Sequence, residues 1–314
     1  TVITMKRLIL TGSMVLLAFL SAPTPAGGQN GEPIIDMHMH AHLPPYPPGK
    51  PSLCRPEPCD GQGSATATHG ESLEKTLDYM TRYNVVKGFL SGDDLDVVDR
   101  WVEAGGDRFI ASVFIIDPDH FDPDHLRREY ETGRLDGMGE IATQLTGIPP
   151  DDPRLEPLFA VAEDLDVPVL IHSAGIGPYL PTFRSAVGSP LRLEEVLVRH
   201  PNLRIYVENA GYPYRDDMIA MMYQYPQLYA DISTITWVIP RTAFYDYLKS
   251  FVKAGLAKRL MFGSDQMRWP EVIERGIEAI EEAEFLTDQQ RRDIFYNNAA
   301  RFLRLEPAGA GTDN

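Results

Sequence analysis

The stretch that decides the fold is residues 203–232, LRIYVENAGYPYRDDMIAMMYQYPQLYADI, which has an apolar run at each end. Residues 203–208 and 228–232 are short and rich in aromatic and aliphatic side chains, which favours β-strands. Between them, residues 218–225 place apolar side chains at helical spacing. A strand, a helix and a second strand in this order predict a βαβ unit with parallel strands.

The same alternation runs through the chain. Strand-like runs occupy residues 34–37, 85–90, 109–115, 136–141, 167–171, 203–208, 228–232 and 259–264. Helical patterns lie between them, and a final helix is predicted to begin after Thr287, which has capping-box spacing to Gln290, and to continue through Leu303. Doubly wound sheets also alternate in this way, so the count of eight strands is what predicts a closed (β/α)8 barrel of the TIM type.

Two histidines one residue apart end the first strand, in Ile34-Ile35-Asp36-Met37-His38-Met39-His40. Because side chains i and i+2 of a strand point the same way, both imidazoles can reach one metal ion. His172 and Asp265 end the fifth and eighth strand runs, and Glu140 lies at the end of the fourth. Catalytic groups of parallel barrels gather at the carboxyl ends of the strands, so these five side chains are predicted to share one mouth.

At this point the chain resembles the amidohydrolase superfamily, and within it the amidohydrolase-related branch of metal-dependent hydrolases and nonoxidative decarboxylases. The resemblance is carried by Ile35-Asp36-Met37-His38-Met39-His40, Val169-Leu170-Ile171-His172, Met261-Phe262-Gly263-Ser264-Asp265 and Asn297-Asn298-Ala299-Ala300-Arg301-Phe302-Leu303. It implies one divalent metal ion held by His38, His40 and His172, with Asp265 as a ligand or as the general base. Zinc is predicted first, with manganese, iron or cobalt as alternatives.

One position departs from the family pattern. Where the family has a histidine at the end of the sixth strand, this chain has Asn209, in Val207-Glu208-Asn209-Ala210-Gly211. An amide can polarise a substrate carbonyl but cannot relay a proton, so Asn209 is a predicted catalytic residue of changed role, and one metal is favoured over two. Glu208 should point away from the mouth if the strand is regular. Glu140 is predicted either to bind metal or to be hydrogen-bonded at the barrel mouth.

The loops after the strands supply the substrate-facing candidates. His42, Tyr212, Arg268 and Trp269 are predicted to face the substrate, an arginine being suited to a carboxylate and an aromatic ring to a planar group. The remaining histidines, which include His200, are predicted to be surface residues.

The first 28 residues have the pattern of a secretory signal peptide. Lys6 and Arg7 precede a mostly apolar run over residues 8–20, which small residues follow. The predicted organisation is a signal peptide with upstream residues (1–28), a barrel (29–305) and a flexible tail (306–314), in a protein exported to the periplasm or beyond. Cys54 and Cys59 could close a disulfide there, and a zinc site is the weaker alternative.

The net charge of the chain disfavours some classes of binding partner. A formal net charge of -16 disfavours nucleic acid and anionic membranes, which bind clustered Lys and Arg. The resemblance implies, as the main hypothesis, a hydrolase in which a metal ion activates water to attack an amide, ester or lactone carbonyl of a small molecule. A decarboxylase of an aromatic or unsaturated acid is the alternative. The non-catalytic alternative is an impaired barrel that binds a ligand. The sequence does not indicate the oligomeric state.

Overall fold

The computed structural model describes residues 31–41, 65–178 and 180–305. The predicted signal peptide, the Cys54–Cys59 pair, His42 and the predicted tail lie outside these residues. Within them, no helix is both long and apolar enough to cross a membrane.

Eight parallel strands pair in sequence order and form a nearly closed barrel, which confirms the predicted fold. They are β1 (Ile34–His40), β2 (Val85–Gly92), β3 (Phe109–Ile115), β4 (Gly137–Ile141), β5 (Val169–Ile171), β6 (Ile205–Val207), β7 (Leu228–Asp231) and β8 (Leu260–Met261). Two backbone hydrogen bonds complete the circle between β1 and the segment that follows β8: Met37 N donates to Phe262 O at 2.9 Å, and Asp265 N donates to His38 O at 2.7 Å.

Helices surround the barrel. They are α1 (His69–Arg82), α2 (Leu95–Gly105), α3 (Pro123–Glu131), α4 (Glu156–Asp164), α5 (Glu194–Arg199), α6 (Arg215–Gln224), α7 (Ile235–Val238), α8 (Arg241–Lys253), α9 (Val272–Glu281), α10 (Asp288–Arg292) and α11 (Asn298–Phe302). Thr287 caps α10 with the predicted capping box. The expected continuous final helix is wrong in one respect, because a π-helical turn, Asp293–Asn297, separates α10 from α11. There the Ile294 carbonyl accepts a hydrogen bond from Phe262 N at 2.8 Å, which ties the turn to the barrel.

Two layers of apolar side chains position the strands. The inner layer fills the barrel and contains Ile35, Met37, Phe89, Ile110, Leu170, Tyr206 and Met261, with Phe302 of α11 packed against it. The outer layer joins the strands to the helices. Full burial of a residue such as Phe89 stabilises the fold by about 1.5–3 kcal/mol. The inner layer fills the barrel interior, and the polar side chains at the carboxyl ends of the strands gather at one end of it.

Candidate metal centre

His38 and His40 converge at the end of β1, as the His-x-His spacing predicts. Their Nε2 atoms lie 3.1 Å apart, and both side chains are buried. The backbone around them is anchored from the segment after β8. Gln266 pairs with both the N–H and the carbonyl of His40, at 2.9 Å each. Asp36 Oδ1 accepts hydrogen bonds from His38 N and Ser264 N, so the two imidazoles sit on a fixed strand end.

Glu140 enters the same site because β4 is irregular. Met138 and Ile141 both lie in the outer layer although they are three residues apart, which a regular alternation does not allow. The register with both neighbouring strands shifts here, and Gly139 has φ +104. A Cβ at Gly139 would lie 2.1 Å from Leu170 O, so only glycine fits. The irregularity at Gly139 turns the Glu140 side chain inward.

His38, His40 and Glu140 form a first group, whose donor atoms all lie within 4.8 Å of one another, and Asp265 lies beside the two histidines. Asp265 Oδ1 is 2.8 Å from His40 Nε2 and 3.7 Å from His38 Nε2, while Glu140 Oε2 is 3.4 Å from both nitrogens. Asp265 lies beyond the end of β8 with φ 52, and its Oδ2 accepts a hydrogen bond from Thr234 Oγ1. Oδ1 is buried and directed towards the two imidazoles.

This first group and Asp265 fit a metal ion. Donor atoms around a tetrahedral ion with bonds of about 2.0–2.1 Å are separated by about 3.3 Å, and the separations above scatter around that value. Two imidazole nitrogens with two carboxylate oxygens are also a donor set that suits zinc, manganese, iron or cobalt. The buried Oδ1 of Asp265 has imidazole nitrogens as its close polar neighbours, and a cation held between them would compensate its charge.

His172 belongs to a second group instead of joining His38 and His40. Its Nδ1 lies 2.9 Å from Glu140 Oε1 and 2.9 Å from Glu208 Oε1. Two groups with donor atoms close enough to hold a metal ion are therefore present in the described part of the chain, and both include Glu140. Here His172 contacts the other oxygen of the Glu140 carboxylate, and its binding to the same ion as His38 and His40 stays a prediction.

The prediction that Glu208 points away from the mouth is wrong. Tyr206 lies in the inner layer and Val207 in the outer layer, so regular alternation directs Glu208 inward without a bulge. Its carboxylate is buried, with Oε2 3.9 Å from His38 Nε2. The sequence pattern misled because the asparagine, and not the glutamate, was assigned to the inward slot.

Asn209 supports its neighbours. It adopts φ 53, a left-handed conformation that asparagine tolerates better than most residues. Its Nδ2 donates to Glu208 Oε1 at 2.9 Å, and its Oδ1 accepts from Ser233 Oγ and Ile235 N. One hydrogen of the Nδ2 amide is thus engaged by Glu208, which positions that carboxylate, and the predicted donation of the other to a substrate carbonyl stays a prediction.

Asp231 was missed by the sequence reasoning. It closes β7, and its Oδ2 lies 3.2 Å from Nδ1 of His38, while its Oδ1 accepts hydrogen bonds from Asn209 N and Ser233. A carboxylate at this nitrogen fixes the ring so that Nε2 faces the centre. Its place at a strand end is the signal that could have identified it, since the same rule found His172 and Glu140.

Burial and mutual attraction set the protonation of the site. Burial raises the pKa of Glu208 to about 8. At His172 burial is outweighed by the negative charge of Glu208 and the hydrogen bond to Glu140, which raise the pKa to about 10. The pKa of Glu140 is held well below its usual range, since hydrogen bonds from His172 and His38 outweigh its burial. At neutral pH the metal-free protein therefore keeps a proton on His172 and one on Glu208, while Glu140 stays ionised.

The predicted substrate-facing residues are dispersed. Tyr212 packs edge-on against Tyr247, with ring centroids 4.9 Å apart. The Arg268 guanidinium donates to Thr66 O, and the buried Trp269 lies 6.2 Å from Trp237 in a small apolar cluster. Their substrate contacts stay predictions.

Two phenylalanines that the sequence did not indicate line the centre. Phe114 packs edge-on against the His40 ring and Phe183 against the His172 ring, each with centroids 6.1 Å apart. Both are only partly buried. An apolar wall thus borders each group of ligands.

Known structures share this architecture. An uncharacterised TIM-barrel protein from Bordetella bronchiseptica is 19% identical, with a TM-score of 0.64, over 87% of this chain and 99% of its own. An amidohydrolase from Burkholderia multivorans is 17% identical, with a TM-score of 0.60, over 88% and 100%. A 5-carboxyvanillate decarboxylase from Novosphingobium aromaticivorans, in complex with manganese, is 15% identical, with a TM-score of 0.58, over 89% and 98%.

Sequence comparison identifies the family directly. No curated protein has a sequence that matches the chain significantly. The model of the amidohydrolase family, however, matches residues 35–305, which include every ligand candidate described above. This family contains enzymes, both hydrolases and decarboxylases, and this chain is a member of the amidohydrolase family.

Proposed function

We propose that the protein is a metal-dependent hydrolase that cleaves an amide, ester or lactone of a small molecule, with zinc as the resident ion. The observation that carries the proposal is the convergence of the His38 and His40 imidazoles with one oxygen of Glu140 and Oδ1 of Asp265, all of them buried at one end of the barrel. A divalent ion bound there would act as a Lewis acid and bring the pKa of water towards about 7.

The chain's own residues supply the rest of the chemistry. Asp265 is placed to accept a proton from water and to return it to the leaving group, because Thr234 holds its Oδ2 and leaves Oδ1 directed into the centre. Asp231 orients His38 through Nδ1. Phe114 and Phe183 exclude water from the two sides of the centre, which strengthens electrostatic interactions inside it.

Nonoxidative decarboxylation of an aromatic acid is the second candidate. The two phenylalanine rings beside His40 and His172 favour it, because edges of aromatic side chains suit a planar ring held over the ligands. The reactions differ in their products. Hydrolysis consumes water and places one of its oxygens in the product acid, whereas decarboxylation releases carbon dioxide.

The test is a screen of the metal-replete protein against lactones, esters, amides and aromatic acids in ¹⁸O-labelled water. We expect ¹⁸O in the carboxylate of the product, and turnover that falls by about 10²–10⁴-fold in Asp265→Asn. Asp216→Asn is the matched control, since that exposed carboxylate pairs with its neighbour Arg215. Carbon dioxide release without ¹⁸O incorporation would establish the decarboxylase instead. Protein that takes up no divalent metal would contradict both and support a binding role.

A further inference from the structure

We propose that Ser91 and Ser112 are positioning residues of the candidate metal centre, because their hydroxyl groups fix the backbone from which the Glu140 side chain enters it. Both hydroxyls contact the peptide group between Gly139 and Glu140. The inference deepens the proposed function and rests on it, since Glu140 contributes an oxygen to the candidate metal site.

Strand β4 contains one extra residue at the point where the Glu140 side chain turns inward. Between two positions that pair with both neighbouring strands, β4 advances three residues, from Met138 to Ile141, whereas β3 and β5 each advance two. Such a bulge interrupts the regular hydrogen bonds between strands. The peptide group between Gly139 and Glu140 therefore needs other partners, because an unpaired buried backbone group is strongly unfavourable.

Two serine hydroxyls supply these partners. Ser91 Oγ accepts a hydrogen bond from Glu140 N at 2.7 Å, and Ser112 Oγ donates one to the carbonyl of Gly139. A hydroxyl suits both tasks because it can donate as well as accept. Both serines are fully buried, so water does not compete for these hydrogen bonds. One peptide group is thus held at its N–H and at its carbonyl by side chains of two different strands.

The two serines occupy equivalent positions on neighbouring strands. They are paired with each other across β2 and β3, and each follows by two residues a side chain of the inner layer, Phe89 in β2 and Ile110 in β3. Strand alternation therefore places both serines on the inner face of the barrel, between the apolar layer and the carboxyl ends of the strands. A buried hydroxyl is unfavourable there unless it is hydrogen-bonded, and both are bonded to the peptide group beside Glu140.

The anchored backbone determines where the Glu140 carboxylate lies. Glu140 Oε2 is 3.4 Å from the Nε2 atoms of His38 and His40, and Oε1 is 2.9 Å from Nδ1 of His172. An imidazole nitrogen that binds a metal ion does not also donate a hydrogen bond, so the His38 and His40 rings cannot both bind the ion and hold the carboxylate. Its direction then depends on the anchored peptide group, and groups that orient a metal ligand raise metal affinity.

The experiment measures the affinity of the chelator-stripped protein for Zn²⁺ by competition with a chromogenic chelator. We expect Ser91→Ala and Ser112→Ala each to weaken Zn²⁺ binding by about 10–100-fold. Asn298→Ala is the matched control, because this buried side chain also hydrogen-bonds the barrel backbone, at Leu260 O at the start of β8. The control should lower the melting temperature and leave the Zn²⁺ affinity unchanged, which is the result that a merely structural role would give.

A second measurement asks whether the serines act through Glu140. The Glu140→Ala variant keeps both imidazoles of the site but lacks the side chain that the serines position. Adding Ser91→Ala to that variant should therefore change its Zn²⁺ affinity by less than about twofold, since the two substitutions affect the same interaction. The full 10–100-fold loss in this background would contradict the positioning role, because the serine would then act on the barrel as a whole.

The outcomes separate this inference from the proposed function. Wild-type protein that binds no Zn²⁺ would overturn both. Wild-type protein that binds Zn²⁺, with folded serine variants of unchanged affinity, would overturn the positioning role and leave the proposed hydrolase intact. If circular dichroism shows that Ser91→Ala does not fold, Ser112→Ala tests the same peptide group from its carbonyl side. Failure of both variants to fold would show that the serines are structural residues of the barrel, which refutes the assignment.

Discussion

His172 and His200 are each flanked by two glutamates, yet the two clusters are built differently. At His200 the carboxylates take one nitrogen each, with Glu163 2.8 Å from Nδ1 and Glu156 3.0 Å from Nε2. At His172 both carboxylates approach Nδ1, and Nε2 is buried without a hydrogen bond from or to any described residue. The same residue types therefore form a satisfied ion-pair cluster in one place and a set of converging ligands in the other.

The comparison shows that the arrangement of the donor atoms, and not the residue types, distinguishes a structural ion-pair cluster from a candidate metal site. Both histidines are 6% exposed, so burial does not distinguish them. His200 follows α5 and reaches α4, which makes its cluster a link between helices outside the barrel. His172 follows β5 at the barrel mouth. Within the described residues, the donor atoms of several elements face a common centre at the mouth and not at His200.

Exchanging each histidine for asparagine gives the largest expected contrast. His172→Asn should lower kcat/KM by at least about 100-fold, because loss of a ligand disturbs the metal more than loss of an outer partner does. His200→Asn should leave kcat/KM within about threefold and lower the melting temperature. Both are measured on the substrate that the screen identifies. An equal loss of activity in the two variants would break the comparison.

The carboxylates that contact Nδ1 of His38 and of His200 are expected to differ next most in their effect on metal affinity. Asp231→Asn removes the charge next to His38 Nδ1 and should weaken metal binding by about 10–100-fold. Glu163→Gln removes the partner of His200 Nδ1 and should leave metal affinity unchanged. Competition with a chromogenic chelator measures both affinities. Unchanged affinity in Asp231→Asn would remove it from the support of the centre.

The barrel and the convergence of four candidate ligands were predictable because both depend on local periodicity. Apolar runs at strand spacing located the eight strands, and the strand-end rule identified His38, His40, Glu140 and Asp265, whose donor atoms converge. The strands are easy to recognise in the sequence because a parallel barrel buries them on both faces, which makes them apolar runs.

The wrong predictions concern residues whose side-chain direction cannot be read from the alternation of a strand alone. Glu208 was placed outward because the register of a strand end cannot be fixed without knowing which side chain starts the inner layer, here Tyr206. The division of ligands into two groups depends on the irregularity at Gly139 and Glu140, which periodicity does not reveal. His200 was expected at the surface, since its two glutamates are distant in sequence and meet it only when α4 and α5 pack.

The left-handed backbone at the metal centre provides a smaller contrast. Asn209→Ala and Asn209→Gly both remove the amide that holds Glu208, but only alanine opposes φ 53. We expect Asn209→Ala to be less stable than Asn209→Gly by about 1 kcal/mol, since a Cβ disfavours this conformation. Urea denaturation of the two metal-free variants measures the difference. Equal stabilities would mean that the backbone relaxes at this position.

The smallest expected effect is the pH dependence of the His200 cluster. Hydrogen bonds from Arg199, assisted by His200, hold the pKa of Glu156 below its ordinary value of 4.5. The unfolded chain therefore binds the proton more readily, and the stability that Glu156 contributes is present above pH 4.5 and lost as the pH falls below it. Its side chain is 38% exposed, so the contribution is less than about 1 kcal/mol. Glu156→Gln should flatten the acid limb of stability against pH by that amount without altering metal stoichiometry. A steeper acid limb in the variant would show that the carboxylate does not stabilise the cluster, and His200 would then lose its value as the structural counterpart of His172.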